Sequence, residues 1–206
     1  MSGSSSTTRM WYRAGGDGEQ RAAYLESADG KVWERPSLGL VEFEGSSANN
    51  IMKKGTVASE LSAFRDDNPA AKAGQRYKAI SRVRHHTDDR DAMRGHASPD
   101  GIHWNQLKDE PIINQSHRGP LLTDTSSIPT FWSETEERYV CYMRDWIGDP
   151  RRPGQVGTLR WIGRTTSPDL IEWEPVEKMQ YEPAEQLYTS NVQPYFRAPH
   201  IYIALP

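Results

Sequence analysis

The sequence predicts an all-β protein built from repeated four-stranded antiparallel units. Three observations carry that expectation. A short motif recurs three times at nearly equal spacing, two further strand patterns recur in step with it, and strong helix signals are scarce. The motif runs Ser27-Ala-Asp29-Gly30-Lys-Val-Trp33, then Ser98-Pro-Asp100-Gly101-Ile-His-Trp104, then Ser167-Pro-Asp169-Leu170-Ile-Glu-Trp173. Its chemistry is that of a β-hairpin turn. Ser and Asp side chains cap turn amides, and Gly takes the left-handed dihedral, with Leu170 standing in its place in the third copy. The Trp is expected to begin the returning strand and to pack on the sheet. A Pro follows each Trp, at Pro36, Pro111 and Pro175, as where an edge strand ends.

The other elements follow from this period. Arg76-Tyr77-Lys-Ala-Ile-Ser-Arg82 aligns with Arg138-Tyr139-Val-Cys-Tyr-Met-Arg144. Met10-Trp11-Tyr12-Arg13 fits the end of that strand, and Tyr202-Ile-Ala-Leu-Pro206 fits its beginning. Upstream, Thr125-Ser126-Ser127-Ile128-Pro129-Thr130-Phe131-Trp132 matches Thr189-Ser190-Asn191-Val192-Gln193-Pro194-Tyr195-Phe196. The stretch Ala58-Ser59-Glu60-Leu61-Ser62-Ala63-Phe64-Arg65 falls in the same register. The third unit then has strands near 126–132, 138–145, 158–166 and 170–176, and the second has one near 76–84. The β-rich alternation in YVCYMR and LRWIGRTT supports them. Four-stranded units of this length stacked radially are β-propeller blades. The expected organisation is a disordered lead over 1–8 and a partial propeller over 9–206. Its parts are a blade tail at 9–50, blades at 51–112 and 113–180, and a blade head at 181–206. A closed propeller has at least four blades, so the propeller is expected to be incomplete in this chain, with open blade edges that favour self-association.

Composition bounds the function. With 25 Lys and Arg against 28 Asp and Glu the net charge is −3, without the basic face of a nucleic-acid binder. Leu, Ile, Val and Phe supply only 34 residues, but 20 aromatic residues stand ready to build a core. No apolar run reaches the ~20 residues of a membrane helix, and MSGSSSTTRMWYR lacks the basic and apolar regions of a signal peptide. The single Cys141 excludes an intrachain disulfide framework. Its mid-strand position marks it as core rather than nucleophile. His85-His86-Thr-Asp88-Asp89 looks like a metal cluster, but neighbouring residues on an extended chain point apart. No metal site and no cofactor are expected, and no phosphate-binding or nucleophile-elbow motif occurs.

The three Ser-x-Asp-Gly-x-x-Trp hairpins, the RYVCYMRDW strand and GRTTSPDLIEWEP together resemble the five-bladed β-propeller glycosidases of glycoside hydrolase families 32 and 43. YLESADGKVWERPSLGLVEFEGSSANNI resembles an early blade of bacterial proteins labelled as having a family 32 N-terminal domain. The resemblance covers residues 9–206, although the family 32 signature WMNDPNG is absent. It implies a five-bladed propeller, a carbohydrate partner and a glycosidase activity resting on two carboxyl groups. Relatives of this kind are secreted or periplasmic.

The alignment points Asp124 and Glu60 toward the axis where the innermost strands begin, and these are the expected catalytic pair. Asp124, among Thr and Ser hydroxyls, would stay ionised as base or nucleophile. Glu60, beside Val57, Ala58 and Leu61, would have a raised pKa and donate a proton. Ser127 and Asn191 would hold sugar hydroxyls, and Trp146 would stack on a sugar face beside Arg144 and Asp145. Arg13, Arg82 and Arg144 share one register. Each is either a structural Arg bonding neighbouring loops or a contact to a sugar hydroxyl or an acidic sugar. The alternatives to catalysis are a non-catalytic carbohydrate-binding propeller and an inactive truncated remnant.

Overall fold

The computed structural model describes residues 7–15, 18–55, 61–84, 91–116, 119–120, 128–148, 159–182 and 186–205. They form an all-β protein of antiparallel sheets, with one short 3-10 turn at Ala73–Gln75. No helix among them is long and apolar enough to cross a membrane. The chain divides into two compact units, 1–61 and 62–206.

The first unit holds sheet I, in which β1 (Thr8–Ala14), β2 (Arg21–Ser27) and β3 (Ile51–Lys54) pair in that order. Ala22, Ala23, Tyr24, Ile51 and Met52 are buried. Asn50 Nδ2 closes the centre by donating to Tyr24 O at 2.7 Å and to the Tyr12 hydroxyl at 3.0 Å.

The second unit holds two four-stranded sheets. Sheet II is β4 (Ser62–Arg65), β5 (Tyr77–Arg84), β6 (Asp91–Ser98) and β7 (Asn105–Gln106). A small ribbon, β8 (Gln115–Ser116) with β9 (Gly119–Pro120), follows. Sheet III is β10 (Thr130–Ser133), β11 (Arg138–Ile147), β12 (Leu159–Ser167) and β13 (Glu177–Lys178), and sheet IV is β14 (Gln193–Tyr195) with β15 (Ala198–Ile203). One apolar cluster joins sheets II and III through Ile80, Met93, Ile112, Ile113, Ile128, Cys141, Met143 and Val176. A second cluster, Val140, Tyr142, Ile162 and Val192 with Phe131 and Tyr202 against it, joins sheets III and IV. The leading strand β10 lies against both β4 and β14. Consecutive sheets thus stack face to face, with their first strands side by side.

Strand pairing bears out the internal repeat. Thr8, Tyr77 and Tyr139 face Ser27, Ser98 and Ser167, while Arg13, Arg82 and Arg144 face Ala22, Met93 and Ile162. The three arginines therefore occupy one position in three sheets. Phe64 faces Lys78 and Phe131 faces Val140, each one residue past the repeated Tyr.

The three hairpins close identically. The Ser hydroxyl donates to the Asp carboxylate at 3.1, 3.0 and 3.2 Å in Ser27–Asp29, Ser98–Asp100 and Ser167–Asp169. It accepts from the amides of Gly30, Gly101 and Leu170 at 2.9, 2.8 and 2.9 Å. Each Asp Oδ1 takes the next two amides, those of Lys31 and Val32, Ile102 and His103, or Ile171 and Glu172. Gly30, Gly101 and Leu170 all have positive φ, 73°, 81° and 69°. Leucine is tolerated there because its side chain is fully buried, and that burial offsets the left-handed strain.

Burial alone opposes ionisation of Asp100 and Asp169. The bonds from His103, Ile102 and Ser98 on Asp100, and from Glu172, Ile171 and Ser167 on Asp169, outweigh it and hold both carboxyls below the ordinary carboxylate range. Asp29, fully exposed, is lowered by the Val32 and Lys31 amides and by Ser27.

Two details differ from expectation. The fourth strand of sheet III starts later than the 170–176 expected, whereas β7 begins directly after Trp104. Trp104 and Trp173 donate their Nε1 to Gly101 O and Leu170 O at 3.0 and 3.1 Å, and the fourth strand of sheet III begins only at Glu177. Tyr202 does not take the register of Tyr77 and Tyr139. It faces Pro194, and Tyr195 faces Ala198 across a bulge. The reason is a tighter turn: Phe196 and Arg197 alone join β14 to β15, so the strand returns before Tyr202 is reached.

At the hairpin end, sheets II and III are tied by a buried polar network. The Tyr139 hydroxyl donates to Asp66 Oδ2 at 2.8 Å and accepts from Asn68 Nδ2 at 3.1 Å. Lys78 Nζ lies 3.7 Å from Asp66 Oδ2 and donates to Gln75 Oε1 at 2.7 Å. Burial, and next the Asp66 charge, push the Tyr139 hydroxyl up; burial also pulls the Lys78 ammonium down against the Asp66 charge.

Candidate functional site

The opposite end of sheet III gathers unusual chemistry. Thr130 faces Cys141, and the Tyr142 amide donates to Pro129 O at 3.0 Å, so β10 starts alongside the middle of β11. β11 continues to Ile147, carrying Arg144, Asp145 and Trp146 past that start. Alternation along the strand puts Arg144 and Trp146 on one face and Asp145 on the other.

On the first face, Arg144 donates through Nε and Nη2 to Tyr188 O at 3.1 and 2.7 Å, and its guanidinium lies 4.5 Å from the centre of the Tyr188 ring. It thus fixes the loop before sheet IV, as expected of a repeated structural Arg. Arg160 sits opposite Trp146 in the pairing of β11 with β12. Its guanidinium lies 5.3 Å from the Trp146 ring and 5.2 Å from the Tyr188 ring, and its Nη1 donates to Gln186 Oε1 at 3.1 Å. Tyr188 remains 62% exposed. Beneath, Trp161 donates its Nε1 to Met179 O and stacks on Tyr181 at 4.0 Å between ring centres.

On the second face, Asp145 Oδ1 accepts the Trp146 amide at 2.7 Å and lies 4.0 Å from Lys178 Nζ. Lys178 also donates to Trp146 O. Gly163 permits this packing: a Cβ there would lie 2.6 Å from Val176 Cγ1 and 3.3 Å from Asp145 Cβ.

The structure thus brings Arg144, Asp145 and Trp146 to one end of the sheet. Asn191 is exposed in the loop leading to β14. Asp124, Glu60 and Ser127, with the His85–Asp89 run, lie outside the described residues. Among the described residues no group of three His, Cys, Asp or Glu side chains could hold a metal ion. Cys141 is fully buried, and burial pushes its thiol up to about 12. Such a thiol is no nucleophile at neutral pH.

Arg160, Lys178 and Tyr188 complete the cluster and were not singled out from the sequence. A signal for the first lay in the repeat. Trp146 facing Arg160 in sheet III occupies the place where Arg84 faces Asp91 in sheet II. The unit departs from its own pattern at this position.

No family model and no curated protein sequence matches the chain. Solved structures do. An N-acetylgalactosamine deacetylase from F. plautii, solved in complex with blood group B trisaccharide, aligns over 82% of this chain with 15% identity and a TM-score of 0.54. A glycoside hydrolase aligns over 90% of the chain with 11% identity and a TM-score of 0.51. The chain shares the fold of these two proteins. The chain spans about half the length of the first neighbour and about three fifths of the second, 48% and 61%. At these identities the likeness concerns the fold alone. A deacetylase and a glycoside hydrolase share it, so the chemistry must be argued from residues.

Proposed function

We propose that the chain is part of a five-bladed β-propeller of the glycoside hydrolase family 32 and 43 kind. It acts on an oligo- or polysaccharide at the end of sheet III where β10 starts and β11 leaves. In this reading the sheets of the second unit are successive blades. Asp124 and Glu60 are the carboxylate pair, Asp124 as base or nucleophile and Glu60 as proton donor. Ser127 and Asn191 hold sugar hydroxyls beside Arg144, Asp145 and Trp146.

The observation that carries the reading is the shared pairing of the leading strands. Phe64 and Phe131 meet the second strand at one equivalent position, which supports the alignment that sets Glu60 just ahead of β4 and Asp124 ahead of β10. The Arg144–Trp146 segment at that same end supplies charge and aromatic surface suited to sugars. The sugar-bearing F. plautii neighbour and the glycoside hydrolase neighbour fit a carbohydrate partner.

The test is release of reducing ends from a panel of polysaccharides. Asp124→Asn and Glu60→Gln should each lower the rate by about a hundredfold or more, as loss of an acid or base does. Hydrolysis undiminished in both variants rules the pair out. Tight glycan binding without hydrolysis by the parent protein replaces the reading with a non-catalytic carbohydrate-binding propeller.

A further inference from the structure

The cluster at the end of sheet III contains buried donors with no acceptor among the described residues. Arg160 Nε and Trp146 Nε1 are both buried and have no hydrogen-bond partner among the described residues, and Ser190 Oγ, two residues beyond Tyr188, is in the same state. An unmet buried polar atom is costly, and each one calls for a physical explanation, a bound partner among them. Two of them belong to facing residues, since Trp146 pairs with Arg160 across β11 and β12. Arg160 spans the Trp146 and Tyr188 rings, and the Tyr188 ring is exposed.

The chemistry of the missing partner follows from the donors. Two N–H groups require acceptor oxygens, and the guanidinium requires negative charge. Arg144 and Lys178 add positive charge. Arg144 is committed to Tyr188 O, and Lys178 to Trp146 O near the Asp145 carboxylate. Among the described residues the Arg160 guanidinium has one hydrogen bond, the exposed Nη1 bond to Gln186. An oxyanion presenting two oxygens to the Nε–Nη2 edge would take the guanidinium in the bidentate geometry that arginine favours, while the exposed Tyr188 ring receives a sugar face.

We infer that Arg160, Trp146 and Tyr188 form a subsite for an acidic saccharide, its carboxylate or sulfate ester held by Arg160. This rests on the carbohydrate reading above and narrows its substrate class. It shifts the anion contact from the repeated Arg144, which is structural, to the unrepeated Arg160.

The experiment is calorimetric titration with two matched pairs of probes: a uronic-acid oligosaccharide with its fully methyl-esterified form, and a sulfated oligosaccharide with its desulfated form. The acidic member of one pair should bind about tenfold or more tighter than its neutral partner, and the margin should shrink as salt rises. Which pair shows the margin tells carboxylate from sulfate. Arg160→Lys keeps the charge but loses the planar fork, and Trp146→Phe keeps the ring but loses the donor. Both should cut the margin between acidic and neutral members while leaving the melting curve unchanged. Equal binding of acidic and neutral members in both pairs overturns the inference and leaves the carbohydrate reading standing. So does a charge preference that survives both variants. Binding of no glycan at all overturns both.

Discussion

Sheet III has two ends of opposite character. At the hairpin end, where β11 begins, the polar bonds are closed. Ser167 and Asp169 satisfy the turn amides, Trp173 donates to Leu170 O, and Tyr139 is bonded to Asp66 and Asn68. The turn arrangement recurs nearly unchanged in all three copies. At the other end, where β11 finishes, the pattern departs from the repeat. Guanidinium groups lie over aromatic rings, and among the described residues buried donors on Trp146 and Arg160 stay open. Repetition with every bond closed is the mark of scaffold. Departure from the repeat with bonds left open is the mark of a site, because scaffold alone gives no return for unmet polar groups.

The comparison can be broken first at the closed end. Trp173 packs on the apolar cluster between sheets II and III, so Trp173→Ala should lower stability by about 3 kcal/mol, seen as a lower denaturant midpoint. A shift below a few tenths of that would show the hairpin to be dispensable. Gly163→Ala probes the boundary between the ends. Its Cβ would meet Val176 Cγ1 at 2.6 Å, and overpacking of this kind costs about 1–3 kcal/mol.

Leu170→Gly sets two effects against each other. It relieves the positive φ, worth about 1–2 kcal/mol, but empties a buried side-chain site worth about 2–5 kcal/mol. Burial wins, and the variant should be less stable than the parent; a more stable variant would show that the backbone strain dominates. Tyr139→Phe removes the hydroxyl between Asp66 and Asn68 and should cost about 1–2 kcal/mol, with glycan binding unchanged.

The smallest effect is in acid. Asp100 and Asp169 have folded pKa values below their unfolded ones. Their contribution is therefore present above the unfolded value, about 3.9, and is lost as pH falls through the folded one. Melting temperature should drop progressively below about pH 5, and less steeply in Asp100→Asn. An identical slope in the variant would remove Asp100 from the acid loss.

Much of this scaffold was legible in the chain because its signals are local. The Ser, Asp and left-handed residue of each hairpin act within four positions. The Tyr-to-Arg spacing fixed the register that later pairing of Arg13, Arg82 and Arg144 bore out. What escaped needed long-range contacts. The Trp indoles fold back onto turn carbonyls, and β13 starts only at Glu177. The short Phe196–Arg197 turn changes the register of Tyr202. The cluster around Arg160 joins β11, β12 and the loop at 186–190, which no spacing rule connects. Its one sequence signal was the substitution of a Trp–Arg pair where the previous unit has Arg84 and Asp91.

The most direct test of the contrast between the two ends is an NMR titration of the indole Nε1–H signals with the preferred acidic oligosaccharide. Trp146, whose donor is open, should shift strongly as ligand is added. Trp104 and Trp173, whose donors are already bonded to Gly101 O and Leu170 O, should stay in place. Movement of the hairpin indoles with Trp146 silent would contradict the assignment of scaffold to one end and ligand to the other.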